Sequence, residues 1–341
     1  MINLEQYPYT YSEILVELLE YFSTHHNFGE TRKNEERTIV KFCEYYKEKY
    51  STPEMPYPTL VAQLCESLAK NNYLHLIIKD TPSNFDDTYW YLPSDGHGAI
   101  FKNPILKTFL NEKLKSLIFG FKYINTVYRD RVLPICHYIN EDQAIGSSFI
   151  FFNGLATAKH CIEGASKISI KGIPKSVLQE STFLVHNIDA MDLIYIKFPE
   201  SFLTQHRYAQ YEEGQVLDEV LALGFPKVPG FHSFITAEKA IISSRYTASI
   251  GSIASIAEDI WMRQNLMLIT AKIKAGNSGG PVINNNGNVV GISSNLPSGE
   301  GNYDDLGYGT VIPIKFLIEI ITEENSKVFN KNMIDFLDFI E

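Results

Sequence analysis

Residues 275–283 read Ala-Gly-Asn-Ser-Gly-Gly-Pro-Val-Ile, a hydroxyl set among three glycines and followed by an apolar run. Gly276, Gly279 and Gly280 allow the chain to turn tightly around Ser278 through dihedrals that a side chain would forbid. Such a turn points main-chain N–H groups at one spot. A serine held this way is a candidate nucleophile, provided that a base takes its proton and that donors already face the oxyanion formed at the attacked carbonyl. The N–H groups of Gly276 and Ser278 are the expected donors. Taken alone, a short glycine-rich string is also an ordinary turn, so the reading depends on what accompanies it.

Two further stretches accompany it. Leu155-Ala-Thr-Ala-Lys-His-Cys161 is an apolar run that ends in a histidine, and Ala190-Met-Asp-Leu-Ile-Tyr-Ile196 sets an aspartate in front of a strand. The chain order is His160, Asp192, Ser278. In these motifs and their order the sequence resembles the trypsin-like, chymotrypsin-fold serine peptidases, and within them the bacterial intracellular and heat-shock branch; other serine hydrolases use other orders. The resemblance covers about 130–325 and implies a double β-barrel, with His160 as general base, Asp192 as its orienting acid and Ser278 as nucleophile. Asp189 is a rival acid, but the family's acid stands directly before a strand of the kind Asp-Leu-Ile-Tyr-Ile, which selects Asp192. His186 is read as unrelated to the chemistry.

The resemblance also assigns a substrate pocket. Lys272 matches the position at its floor, Ala275 and Asn295 border it, Ser294 matches the serine behind the triad, and Gly309 matches a glycine lining the pocket for the residue before the scissile bond. A lysine at the floor invites an acidic side chain, or extends to solvent and leaves only its stem as wall. The residue before the nucleophile is Asn277 where digestive members carry aspartate, and an amide cannot pair with a newly cleaved N-terminus; regulation by the N-terminal region or by a partner is expected instead. Secreted members often bridge the cysteine after the histidine to an earlier one, at a position matched here with Ile145, so no disulfide is expected.

The 341 residues are enough for two domains, and 45% hydrophobic with 21% charged residues describes an ordinary globular composition. A formal charge of −10 opposes broad affinity for nucleic acid or anionic membrane. The N-terminus shows no basic region followed by an apolar core, there is no run long enough to span a bilayer, and Cys43, Cys65, Cys136 and Cys161 lack CxxC spacing. A cytoplasmic location is the expectation, with no cofactor, metal or membrane partner.

Residues 1–125 read as mainly helical and winged-helix-like, ahead of a peptidase domain over 126–341. Helices are expected over about 10–25, with Thr10 and Glu13 as a capping box, over 34–50, and from Pro58 to about Lys70. A hairpin of 73–79 with 88–92 follows, then a helix capped by Asn103 before Pro104 and running to about Tyr128. The third helix carries one Glu and one Lys, and residues 1–125 hold 13 Lys and Arg against 16 Asp and Glu, which favours protein contact or autoregulation over DNA binding.

Beyond Val132 short strands alternate with turns: 147–152 and 155–158 about an Asn153-Gly154 turn, then 167–173, 220–226, 235–243 and 288–294. Helices are expected over 314–322 and 330–340. The expected function is hydrolysis of protein or peptide bonds through an acyl-enzyme on Ser278, under control of the N-terminal domain or a protein partner. Two other classes compete: a DNA-binding regulator carrying a peptidase domain, which salt-sensitive duplex binding would reveal, and a catalytically silent binding module, which an unreactive Ser278 would reveal.

Overall fold

Helix α1 (Ile14–Phe22) turns nearly every side chain inward, and it packs on α2 (Ile39–Tyr50) and α3 (Pro58–Lys70) through Leu15, Leu18, Phe42, Tyr46, Leu64 and Leu68. The computed structural model describes residues 13–23, 37–78, 88–90, 97–139, 142–202, 210–227, 245–259, 263–294 and 307–339. The chain divides into two compact units, Met1–Tyr123 and Ile124–Glu341.

In the first unit the helix starts differ in part from expectation. Glu13 precedes α1 in a left-handed conformation (φ 61°) and makes no cap, so it is not the inner half of a capping box; Thr10 lies outside the described residues. Thr38 caps α2, and Pro58 opens α3. Strands β1 (His75–Ile78) and β2 (Thr88–Trp90) pair antiparallel, as the expected hairpin requires. After α4 (His97–Lys102), the Asn103 side chain accepts from the Ile105 and Leu106 N–H groups at 3.0 and 3.3 Å to start α5 (Pro104–Tyr128). The expected continuous helix is broken at Gly120 (φ 64°, ψ −156°), a conformation open to a residue without Cβ. Glu17 of α1 is fully buried; its carboxylate accepts from Lys49 at 2.7 Å, from the Tyr50 hydroxyl at 2.9 Å, and from Lys107. Burial alone would raise its pKa, but these partners hold it below the usual carboxylate value, so α1, α2 and α5 are joined by an ion pair that needs all its members.

The second unit is β-rich. Strands β3 (Val132–Ile139), β4 (Asp142–Phe151), β5 (Gly154–Thr157), β6 (Lys167–Ile170), β7 (Thr182–His186) and β8 (Ile194–Lys197) form one sheet, with α6 (Lys175–Glu180) between β6 and β7. Strands β9 (Glu219–Gly224), β10 (Thr247–Asp259), β11 (Gln264–Ile269), β12 (Pro281–Asn284), β13 (Val289–Ser294) and β14 (Gly309–Pro313) close into a barrel in the order 10-11-14-13-12-9. Helix α7 (Ile314–Ile321) follows. The stretch 235–243 lies outside the described residues.

The C-terminal segment departs most from expectation. Residues 330–339 do not form the helix expected over 330–340; the C-terminal segment supplies β15 (Ser326–Val328) and the two-residue β16 (Asp335–Phe336). The first sheet has the order 15-7-8-5-4-3-6-16, so both of its edges come from this segment. Between the two strands Lys331 donates to the carbonyls of Leu178, at 3.1 Å, Gln179 and Ser181, and its ammonium sits over the rings of Phe183 and Phe336. Those three contacts satisfy carbonyls at and beyond the end of α6 that the helix itself leaves without partners.

Candidate active site

The Ser278 turn sits on the seam between the first sheet and the barrel. Gly279 (φ 86°) approaches β4 and β5 so closely that a Cβ would lie 2.1 Å from the Ser147 carbonyl oxygen and 2.4 Å from Thr157 Oγ1. At Gly276 (φ 99°) a Cβ would lie 2.5 Å from the Phe225 carbonyl oxygen. We therefore expect Gly279→Ala to lower stability by about 3 kcal/mol or more, from left-handed strain plus a backbone clash. A melting temperature within about 2 °C of the unaltered protein would contradict this.

The orientation of the two expected oxyanion donors follows from peptide planarity, because each N–H points opposite the carbonyl of the preceding residue. The Ala275 carbonyl accepts from Lys227 N at 3.0 Å and the Asn277 carbonyl from Gly280 N at 2.9 Å. Both peptides are thus anchored by their oxygens. Among the described residues the Gly276 and Ser278 N–H groups donate to no backbone carbonyl, which leaves both for a ligand oxygen. Asn277 is buried, and its side-chain oxygen has no partner among the described residues.

Ser147, which the sequence reading passed over, braces this turn. Its Oγ donates to the Gly276 carbonyl at 2.6 Å and accepts from Phe225 N at 2.8 Å, while its own N–H donates to the Ser278 carbonyl at 2.8 Å. The available signal was a pair of hydroxyl residues, Ser147 and Ser148, directly before the apolar run Phe149-Ile-Phe-Phe152.

His160 rides on a short 3-10 turn (Lys159–Cys161) after β5, and Asp192 lies just before β8, the neighbour of β5. Asp192, and not Asp189, meets the histidine. Its Oδ1 accepts from the His160 backbone N–H at 2.8 Å, and its Oδ2 lies 2.8 Å from His160 Nδ1 and accepts from Ser294 Oγ at 2.7 Å. With Asp192 ionised, Nδ1 carries the ring proton and Nε2 is left to act as a base. Burial disfavours the imidazolium, but the Asp192 hydrogen bond, with a smaller contribution from Cys161, outweighs it and raises the His160 pKa above its ordinary value. Cys161, next in sequence, has its sulfur 4.0 Å from the Ser278 carbonyl oxygen, which brings the histidine's turn beside the serine's.

All four cysteines are buried and free. The residue facing Cys161 is Gly146 and not Ile145: a Cβ at 146 would lie 2.5 Å from the sulfur. The pleat turns 145 away, where it pairs with Cys136 on β3.

The assigned pocket residues separate. Ser294 is buried on Asp192, so it supports the acid. Lys272 is exposed, its backbone N–H donating to Ser249 Oγ at 2.8 Å, and Ala275 is exposed. Gly309 is buried with Ile273 against it, at 2.6 Å from a would-be Cβ, so Ile273 and not Lys272 fills the space beside that glycine. Asn295 lies outside the described residues.

His137 on β3 is buried, its Nδ1 has no partner among the described residues, and burial, with a smaller effect from His160, pushes its pKa down to about 4. The unfolded chain takes up a proton near pH 6.5 that the folded chain refuses until about pH 4, so stability falls as the pH drops through that window. We expect a loss of about 3 kcal/mol from this residue. In denaturant unfolding between pH 7 and 4, His137→Leu should lose less stability than the unaltered protein, and parallel pH dependences would refute the assignment.

Comparison with known proteins gives a match over part of the chain. Residues 146–292 match the trypsin-like peptidase domain. Similar proteins include the magnetosome formation protease MamE of Paramagnetospirillum magneticum, 29% identical over 169 residues that make up 48% of this chain and 22% of that one. A probable periplasmic serine endoprotease DegP-like of Pseudomonas putida is 29% identical over 182 residues, 53% of this chain and 34% of that one. The matched region is thus about a third or less of these relatives' own length. Similar solved structures include the Rv3671c protease from M. tuberculosis in its active form (TM-score 0.45, 17% identity, 61% of this chain and 87% of that one). The HtrA-type protease AlgW with a tripeptide is another (TM-score 0.44, 21% identity, 59% and 62%).

Proposed function

We propose that this chain, whose residues 146–292 match the trypsin-like peptidase domain, is a serine endopeptidase that cleaves protein or peptide bonds through an acyl-enzyme on Ser278. The observation that carries the reading is the Asp192 carboxylate bound to both the ring and the backbone of His160, on the seam where the Ser278 turn leaves two N–H donors unused. His160 takes the Ser278 proton as the hydroxyl attacks the carbonyl carbon, and the N–H groups of Gly276 and Ser278 hold the resulting oxyanion. The same imidazole then gives that proton to the leaving amine. Water repeats the sequence on the ester and frees the enzyme.

Ile273 beside Gly309 supports an apolar wall for the residue before the scissile bond, so the reading favours small apolar side chains there over acidic ones. Peptide libraries showing a preference for Asp or Glu at that position would reverse this. The first unit is read as governing the peptidase or recruiting protein to it; equal activity from residues 126–341 and from the full chain would dismiss that role. Its acidic balance is the reason for preferring this to DNA binding. Four buried free thiols support a reducing, cytoplasmic compartment, although some relatives are named periplasmic; cell fractionation decides between the two.

The deciding experiment is labelling of the full chain with a fluorophosphonate. Labelling that disappears in Ser278→Ala supports the peptidase. A folded chain that does not label in any state of its first unit would favour a binding module.

A further inference from the structure

His186 ends β7, and Asp192 stands at the far end of the loop that leaves it. The imidazole is buried, edge-on to Phe316 of α7 with ring centroids 5.7 Å apart. Its Nδ1 accepts from the Ile188 backbone N–H at 3.1 Å, so Nε2 bears the proton and donates to Glu319 Oε2 at 3.0 Å. An apolar side chain would fill the same space. What the imidazole adds is a rigid link between the α7 carboxylate and the main chain of the acid-bearing loop.

Further contacts hold the rest of the loop. Asn325 donates to Glu319 Oε2 at 2.9 Å, and its carbonyl accepts from Asn187 N at 2.9 Å. Lys327 pairs with the Asp189 carboxylate, and Lys159, the residue before His160, donates to the Asp189 carbonyl at 2.6 Å. Met191 N–H closes back on the Ile188 carbonyl at 3.0 Å, one residue before Asp192. Glu319, Asn325 and Lys327 all lie beyond the family-matched region, which stops at 292.

We propose that His186 is a positioning residue for the catalytic pair, and that the link Glu319–His186–Ile188 lets the C-terminal segment set the placement of Asp192 on His160. This rests on the peptidase reading for its consequence in catalysis, though not for its geometry. A misplaced carboxylate orients the imidazole less well and stabilises its cation less. The charged and titratable groups acting on His160 are Asp192, Cys161 and His137, and those at the link are Glu319 and, acting on Glu319, Lys315.

The test uses the full chain with His186→Leu, His186→Gln and Glu319→Ala, each with its melting temperature recorded. Two readouts are taken: the pH profile of fluorophosphonate labelling, and the titration midpoint of His160 by NMR. We expect His186→Leu to lower the labelling plateau about tenfold, well short of the roughly ten-thousandfold loss on disabling the acid itself. The His160 midpoint should move down by about half a unit or more. Glutamine has an amide oxygen to accept from Ile188 and an NH2 to donate to Glu319, and it should recover most of both effects. Glu319→Ala, at a partly exposed site, should reproduce the shift should the leucine variant fail to fold.

An unchanged His160 midpoint in folded His186→Leu or Glu319→Ala would overturn the proposal. So would a leucine defect that glutamine does not relieve. A chain that never labels would remove the peptidase reading, and the NMR midpoint would still decide for or against the link.

Discussion

Alanine in place of Ser278 is expected to lower peptide-bond hydrolysis about a millionfold and to abolish fluorophosphonate labelling, with the melting temperature little changed. The fold does not lean on the hydroxyl. The residue's structural contacts run through its main chain: the carbonyl accepts from Ser147 N, and the turn around it is closed by Gly280 N on the Asn277 carbonyl. The loss should be grossly non-additive. His160→Ala should cost about as much, and the double variant little more, because nucleophile and base act as one unit. What survives should come from the oxyanion donors and substrate binding alone. Hydrolysis within a hundredfold of the unaltered chain in Ser278→Ala would show that another nucleophile does the work.

Asp192→Asn should cost about ten-thousandfold in kcat, although the amide is nearly the same size as the carboxylate. The carboxylate accepts from three donors, the His160 backbone N–H, the Nδ1 proton and the Ser294 hydroxyl. An amide offers one oxygen and turns an NH2 toward one of those donors. The ring then favours the other tautomer, with its proton on the nitrogen that should act as base. The pH dependence carries a second sign. Since Asp192 raises the His160 pKa, kcat/KM in the unaltered chain should fall as the pH drops through a midpoint above 6.5, where the base becomes protonated. Removing the carboxylate lowers that midpoint, so the small activity left in the variant should persist to lower pH. A midpoint unchanged between the two would mean that Asp192 does not govern the histidine.

Much of this site is legible in the sequence. Chemistry restricts which residues can make an activated serine, and the three motifs declare themselves through local constraints: glycines around Ser278 because backbone from other strands passes within a side chain's width, and an apolar run before His160 because β5 is buried. The choice of Asp192 over Asp189 also followed from the strand behind it. Helices with clear caps, such as those opened by Asn103 and Pro58, were readable for the same local reason.

Three features were not. Residues 330–340 read as a helix, yet the chain from 326 to 336 supplies two short edge strands with Lys331 between them, because the open edges of β7 and β6 and the carbonyls at the end of α6 offer partners that the stretch cannot know about. Lys272 stands at the pocket position by count, but the backbone turns it to solvent and Ile273 toward Gly309. His186 looks idle in the chain, and only the approach of α7 gives its ring a carboxylate to hold. The sequence by itself determined which residue types stand in the three motifs and their order, since those depend on side-chain type and on turns a few residues long. The tertiary structure alone decided which groups brace that chemistry, because a hydrogen bond such as that between His186 and Glu319, 133 positions apart, exists only when two elements meet.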